Sequence, residues 1–474
     1  MDISAFFSSN GILAKAVKGY QPRQAQVEMA TAIDTAIREN RHFIAEAGTG
    51  TGKTFAYLVP ALLSGKKAIV STGTKNLQDQ LFNKDIPLLR KVFKTPFTAA
   101  LLKGRSNYLC LLRLKNAMTT TFGFSKDDAM ALAKINTWAS RTQTGDISEI
   151  AGVEENNPIW YQATSTVGNC LGQECADYAQ CFLVKARKKA QEADLIVVNH
   201  HLLCADWAIR DNGFGELLPS VGAVIIDEAH QLPETAANFL GINLSGRQFN
   251  ELAQDSLVEF YQDATDIPEL RATAENLEHA VRNLRLAFGI ELKRGDWQEL
   301  VKNKAVMDAL HSLQTNLQQL TEQLKIASVK SKNLDVCFKR AEELSEQLQA
   351  IVTEQDSKWI RWYELHRQSF TLNRTPLTIT NEFQQFMLLH KASWIFTSAT
   401  LSVANSFEHF SSQLGLTDIP GASWSSPFDY ANQSLFYHPK GLPHPNDPHF
   451  IPLILEFVVP VLEASQGRAF FFIH

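Results

Sequence analysis

The run His42-Phe43-Ile44-Ala45-Glu46-Ala47-Gly48-Thr49-Gly50-Thr51-Gly52-Lys53-Thr54 decides the fold class. Its first half, His42 to Ala47, reads as a buried strand, and a helix is expected from Lys53, so a glycine- and threonine-rich turn joins the two. Ala47 to Thr54 matches the phosphate-binding loop, with Ala47 in place of its first glycine. Gly48, Gly50 and Gly52 let backbone N–H groups turn inward around phosphate oxygens, and the start of the helix adds partial positive charge. Lys53 is expected to reach the β- and γ-phosphates and Thr54 to hold Mg2+ through its hydroxyl, with Thr49 and Thr51 completing the cradle. A chance Gly/Thr turn is the bland alternative, and the strand–turn–helix context argues against it.

Working outward, Lys67 to Ser71 and Thr98 to Leu102 read as strands, with a helix from about Lys75 to Phe82 between them. Asp194 to Val198, Ala223 to Asp227 and Ser393 to Thr397 continue the series, short and rich in β-branched residues. This rhythm implies an α/β domain with a parallel sheet covered by helices. The strand Ala223 to Ile226 runs into Asp227-Glu228-Ala229-His230. A carboxylate at a strand tip beside a phosphate loop is where a Mg2+ contact is needed, and that is the expected role of Asp227. Glu228 is expected to position and deprotonate the attacking water. Loop and acidic pair together point to nucleoside triphosphate hydrolysis, without saying what the energy moves.

Two insertions interrupt the sheet. We expect residues 1–105, 184–232 and 375–430 to form the sheet domain, 106–183 a cysteine-rich insertion, 233–374 a helical insertion, and 431–474 the start of a further domain. In the helical insertion Val306, Leu310, Leu313, Leu317, Leu320 and Leu324 recur at 4-3-4-3-4, the seam of two helices at coiled-coil spacing. Leu334, Phe338, Ala341, Leu344, Leu348 and Ile351 are expected to oppose it across a turn near Val329 to Asn333. Trp359, Arg361, Trp362 and Tyr363, with Lys358 and Arg367, interleave aromatics and bases as single-strand grooves do. A strand returning to the main sheet would look the same, and that packing role is favoured.

At 474 residues the chain is too long for one ordinary core. A formal net charge of −5 argues against a uniformly basic coat for nucleic acid, while leaving room for a local groove. The most apolar stretch, Phe450 to Ala464, is broken by prolines and by Glu456 and Glu463, so no membrane span is expected. Met1 to Gly19 lacks a basic segment followed by a long apolar one, so a cytoplasmic location is expected. Disulfides are not expected there, and clustered cysteines point to metal. Cys110 stands far upstream of Cys170, Cys175 and Cys181; four thiolates suit Zn2+ or an iron–sulfur cluster, and this spacing makes a poor zinc ribbon. Cys204 and Cys337 lie outside the pattern and are expected to be packing residues.

Further short motifs occur in one order. They are Tyr20, Arg23 and Gln26 ahead of the loop; Ser71-Thr72-Gly73-Thr74-Lys75; Lys103-Gly104-Arg105 leading to Cys110; Val197-Val198-Asn199-His200-His201; Thr397-Ser398-Ala399-Thr400-Leu401; and Ser426-Pro427-Phe428-Asp429-Tyr430. This order resembles the superfamily-two helicases of the XPD type, most closely the bacterial DinG/YoaA-like branch, over essentially the whole chain. The resemblance implies a RecA-like motor domain carrying an iron–sulfur cluster domain and a helical arch, with ATP as the nucleotide. It implies that Tyr20, Arg23 and Gln26 recognise adenine, that Thr72 and Lys75 contact the strand, and that Ser398 and Thr400 couple hydrolysis to DNA movement. It also implies that His230 links the metal site to that segment and that Cys110, Cys170, Cys175 and Cys181 hold a [4Fe–4S] cluster. The expected partners are single-stranded and forked DNA, with 5′-to-3′ movement by a monomer in repair or replication.

Gly467 to His474 reads as the start of a buried strand, which the resemblance makes the opening of a second motor domain, otherwise truncated. Such a domain supplies an arginine finger worth roughly 10³–10⁵ in rate, so the 474-residue chain alone is expected to hydrolyse ATP barely. The competing readings are a non-motor DNA-binding protein that keeps the cluster and a phosphate-loop enzyme acting on a small molecule.

Overall fold

The computed structural model describes residues 2–93, 95–119, 125–211, 217–353, 356–433, 437, 439–445 and 447–466. The strand expected at 467–474 lies outside the described residues. Contacts divide the chain into a large unit, Met1–Ser425, and a small one, Ser426–His474. Within the small unit the helices Tyr430–Gln433 and Phe450–Ala464 are formed. No described helix is long and apolar enough to cross a membrane.

Eleven strands occur among the described residues, here β1 (Phe43–Ala47), β2 (Ala68–Thr72), β3 (Ala99–Leu101), β4 (Leu195–Asn199), β5 (Ala223–Asp227), β6 (Ile242–Ser245), β7 (Arg294–Asp296), β8 (Trp359–Leu365), β9 (Phe370–Pro376), β10 (Ser393–Ser398) and β11 (Gly421–Trp424). Seven form an all-parallel sheet in the order β11-β1-β10-β5-β2-β4-β3. Successive side chains of a strand point to opposite faces, and here both faces are covered. Ile44, Ile69, Ile196, Val224, Trp394 and Phe396 enter one core, beneath the helices His200–Asp211 and Thr380–Leu389. Ala45, Val70, Val197, Ile225 and Ile395 enter the other, beneath Gln24–Arg38 and Lys53–Leu63. The α/β class read from the sequence is therefore the observed one. β11, the edge strand beside β1, has no counterpart among the strands read from the sequence.

The first insertion packs its own small core around Tyr108, Leu109, Leu114, Ile135, Trp160 and Phe182. The second buries a larger one. Its helices Lys304–Ala327 and Lys332–Thr353 form the expected hairpin, with Leu310, Leu313, Leu317, Leu320 and Leu324 facing Leu334, Ala341, Leu344, Leu348 and Ile351. Pro268–Ala287 packs against the first of them as well.

One expectation is corrected. The second insertion is not helical throughout but includes a four-stranded antiparallel sheet, β6-β9-β8-β7. The stretch Trp359–Leu365 is a strand, as the favoured reading required, but it joins this sheet and not the parallel one. Its aromatics are held within the sheet: the Trp362 indole donates to Thr375 Oγ1 at 3.0 Å, and Arg294 and Arg374 lie over Trp362 and Trp359.

The insertions also hold each other. Asp255 of the second accepts from Arg113 of the first at 3.0 Å and from Arg340 at 2.9 Å. Arg113 donates in addition to the Tyr161 carbonyl.

Leu320 is fully buried in the seam while Val329, at the turn, is 88% exposed. We expect Leu320→Ala to cost about 2–5 kcal/mol and Val329→Ala to stay within about 0.5 kcal/mol. Chemical denaturation followed by circular dichroism compares the two.

Candidate nucleotide and cluster sites

The parallel sheet sets the site by register. β10 runs between β1 and β5, so Glu46 stands beside Ser398 and Thr397 beside Asp227. Ligands of such sheets bind at the carboxyl ends of the strands. The phosphate loop leaves β1 at that end and Asp227 closes β5 there.

The loop is held from outside. Gly50 and Gly52 both have φ of +84°, a conformation that strains side chains with a Cβ. At Gly52 a Cβ would also strike Gln26 Nε2 at 2.2 Å. Gln26 is buried and donates to the Gly52 carbonyl at 2.9 Å, Arg23 donates to the Gly50 carbonyl, and the Tyr20 hydroxyl donates to Gln26 Oε1 at 3.0 Å. Arg23 and Gln26 thus meet the loop through its carbonyls, and Tyr20 backs them through Gln26. Of the loop's own N–H groups, that of Gly48 donates to the Trp424 carbonyl on β11 at 3.0 Å and that of Thr51 to the Gly48 carbonyl at 3.3 Å. The Thr51 hydroxyl closes the turn by donating to the Gly48 carbonyl at 2.8 Å.

Across the site, Lys53 Nζ lies 3.9 Å from Glu228 Oε1. Glu228 adopts a left-handed φ of +54°, which turns its side chain back toward the loop. Its other oxygen accepts from Ser398 Oγ at 3.1 Å, and Ser398 Oγ lies 2.8 Å from His230 Nδ1. The Thr400 N–H donates to Ser398 Oγ at 3.4 Å. Burial and the neighbouring Glu228 charge push Asp227 up to about 6. Tyr57, fully buried, donates to Asp227 Oδ2 at 3.0 Å. A cation that met Asp227 would relieve both burdens on it, so the acidic pair beside Thr54 and Lys53 fits a divalent ion.

Thr72 is buried with its hydroxyl donating to the Thr74 carbonyl, and Lys75 is a half-exposed neighbour of Glu155 at 3.8 Å. His200 and His201 open a helix and do not end a strand: His200 is buried against Ser71 Oγ at 2.7 Å, while His201 is exposed. Burial pushes His200 down to about 4, so it is neutral at physiological pH.

Two neighbours of this site were not singled out from the sequence. Tyr57 lies one turn beyond Lys53, on the same helix face. Glu46 is a charge inside an apolar strand, an anomaly of the kind that repays attention. Both signals are present in the sequence.

The four cysteines of the first insertion are free and half-buried. Cys110 precedes the helix Leu111–Thr119 and donates its N–H to the Ala163 carbonyl, and Cys181 caps the helix Phe182–Glu192. Cys170 accepts at Sγ from the Gly172 N–H at 3.4 Å. Burial raises the Cys110 and Cys175 thiols, and the neighbouring cysteines raise them further: Cys170 and Cys175 act on the first, Cys170 and Cys181 on the second. Among the described residues no three or more His, Cys, Asp or Glu side chains are spaced to hold a metal ion. As chemistry, four free thiols sharing one region suit a cluster, whose cationic iron would relieve their mutual repulsion. Cys204 and Cys337 are buried packing residues.

Lys103 anchors the root of this insertion. Its side chain is buried between Asp146 at 2.8 Å and Asp79 at 3.1 Å. Burial alone would lower it, but the two carboxylates outweigh burial and hold it above the ordinary lysine range.

A phosphate loop after β1, an acidic pair closing β5, and Ser398 of the intervening β10 bonded to Glu228 and His230 make up a nucleotide site of the helicase type. Residues 25–122 match the family model described as DEAD/DEAH box helicase. The chain is 42% identical over 469 residues to the ATP-dependent DNA helicase YoaA of Haemophilus influenzae, covering 99% of this chain and 73% of that protein. It is 40% identical to YoaA of Escherichia coli, covering 98% and 73%. A solved structure titled XPD helicase aligns over 94% of this chain and 70% of its own, at 15% identity and a TM-score of 0.46. The chain belongs to the YoaA/DinG family of ATP-dependent DNA helicases.

Replacing Lys103 by methionine leaves Asp146 and Asp79 without their cation. We expect Lys103→Met to cost about 3–5 kcal/mol, as removal of one partner from a buried pair does, measured by chemical denaturation.

Proposed function

We propose that this chain binds ATP with Mg2+ and uses its hydrolysis to move on and unwind DNA. The observation that carries this is the contact chain from Lys53 through Glu228 to Ser398 and His230, which joins the phosphate loop to the segment after β10. In this reading Ala47, Gly48, Thr49, Gly50, Thr51 and Gly52 cradle the phosphates, Lys53 meets the β- and γ-phosphates, and Thr54 and Asp227 hold Mg2+. Glu228 orients and deprotonates the attacking water, and its approach to Lys53 supports that role. Tyr20, Arg23 and Gln26 receive adenine beside the loop, which Arg23 and Gln26 already touch. Thr72 and Lys75 meet the strand, and Ser398, Thr400 and His230 transmit the state of the nucleotide to it.

The finer reading follows the family resemblance. Residues 1–105, 184–232 and 375–430 act as the motor domain, 106–183 as a cluster domain and 233–374 as an arch, with 431–474 opening a second motor domain. Cys110, Cys170, Cys175 and Cys181 hold a [4Fe–4S] cluster; their shared region and mutual charge effects support this. The substrates are single-stranded and forked DNA, the polarity is 5′-to-3′, and the protein acts as a cytoplasmic monomer in repair or replication.

Binding of a fluorescent ATP analogue with Mg2+ tests the nucleotide site. Loss of the Lys53 charge should weaken binding by about 10–100-fold in Lys53→Ala, the range of a charged hydrogen bond. Glu228→Gln should leave binding within about threefold while abolishing the slow hydrolysis of the chain. A Lys53→Ala protein that binds as tightly as the unsubstituted one would overturn the assignment.

The cluster is tested by anaerobic purification. Iron, sulfide and a brown visible absorbance are expected, all of them diminished in Cys175→Ser. Stoichiometric zinc in a colourless protein would replace the cluster with a zinc site.

A further inference from the structure

Glu46 sits in β1 one residue before the phosphate loop, opposite Ser398 of β10 on one side and Ser423 of β11 on the other. A carboxylate partly shielded from water between two strands needs donors. Glu46 finds four. Its Oε2 accepts from the backbone N–H groups of Leu401 at 2.5 Å and Ser402 at 2.6 Å. Its Oε1 accepts from Ser402 Oγ at 2.7 Å and Ser423 Oγ at 2.8 Å. Burial pushes the carboxyl up, but the Ser402 and Leu401 amides and the two serine hydroxyls outweigh it and hold Glu46 below the usual carboxylate range. It is therefore charged at neutral pH, and all four bonds are charge-assisted.

The donors identify what Glu46 holds. Leu401 and Ser402 follow directly on Ser398-Ala399-Thr400, whose serine already bridges Glu228 and His230. The segment is thus fastened at both ends: at Ser398 to the acidic pair, and at 401–402 to the root of the phosphate loop. A loop fastened at one end takes up a local change by relaxing. One fastened at both ends has to move with its anchors or resist them.

We propose that Glu46 is a positioning residue that pins segment 398–402 to the phosphate-loop strand, so that occupancy of the nucleotide site is transmitted to this segment and not dissipated in a free loop. The pinning stands on the geometry of this chain; its consequence for DNA rests on the helicase reading.

Hydrogen exchange at the Leu401 and Ser402 amides tests the pinning, with the helix Lys53–Leu63 as internal reference and adenylyl imidodiphosphate with Mg2+ as probe. In Glu46→Ala both amides should exchange at least about tenfold faster, as amides freed from strong acceptors do, with the reference helix unchanged and probe affinity within about threefold. Glu46→Gln keeps an acceptor toward the two amides and should recover most of the protection. Because it keeps the shape of the side chain, it also serves if the alanine variant fails to fold, and its amides should then exchange measurably faster than those of the unsubstituted protein. Unchanged exchange at 401–402 in either variant, or loss of probe affinity in proportion to loss of protection, overturns the proposal.

A second arm measures single-stranded oligonucleotide affinity with and without the probe. In the unsubstituted protein the probe should shift it, and in Glu46→Ala that shift should vanish. If the unsubstituted protein shows no shift, the helicase reading fails, while the exchange arm still decides whether Glu46 pins the segment.

Discussion

Three parallel strands ending at one edge are the constraint on which the site depends. β1, β10 and β5 lie side by side, so the phosphate loop, Ser398 and the acidic pair, scattered over more than three hundred residues of sequence, emerge together. Their chemistry follows from that crowding. Burial at the strand end, and after it the charge of the neighbouring Glu228, push Asp227 up to about 6. The groups that relieve the two carboxylates come from opposite directions: Lys53 and Tyr57 from the helix after the loop, Ser398 from the strand between. When bound, a divalent ion would supply the positive charge that this arrangement otherwise draws from a single lysine.

The same edge explains where the sequence was easy to read and where it was not. The phosphate loop and Asp227-Glu228 were legible because each is local: a turn that only glycine allows, or a carboxylate pair at the end of an apolar run. The strands β1, β2, β4, β5 and β10 were legible as short buried runs, each within about a residue of its observed span. β11 was not, because Gly421-Ala422-Ser423-Trp424 carries no β-branched run and pairs on one side only, where β1 alone makes it a strand. Glu46 was passed over for the opposite reason. Its donors lie some 355 residues away in sequence, and only the sheet register brings them together.

The second insertion divides in the same way. Its helical hairpin follows from a leucine spacing that any helix of that length would bury. Its antiparallel sheet rests on pairings between segments as distant as Ile242–Ser245 and Phe370–Pro376, which no local period announces. The aromatic and basic residues of β8 matched two templates at once, a strand and a nucleic-acid groove. The sheet uses them internally, arginine over indole, because a strand packed on one side only has room for long side chains on the other.

Both insertions depart from the carboxyl edge of the sheet, the second of them from β5 itself. The first leaves after β3 and returns to β4; the second leaves after β5 and returns to β10. In a parallel sheet each departing connection starts at the carboxyl end, so whatever is inserted there is rooted beside the nucleotide edge without further design. Lys103, caught between Asp79 of the sheet domain and Asp146 of the first insertion, fixes one root electrostatically. Asp255, shared by Arg113 of the first insertion and Arg340 of the second, then ties the two outgrowths to each other. Two separate sets of paired charges thus hold the insertions: one joins the sheet domain to the first insertion across Lys103, the other joins the first insertion to the second through Arg113 and Asp255. Each link is buried or half-buried, so water offers its charges a poor substitute partner and the links resist breaking one at a time.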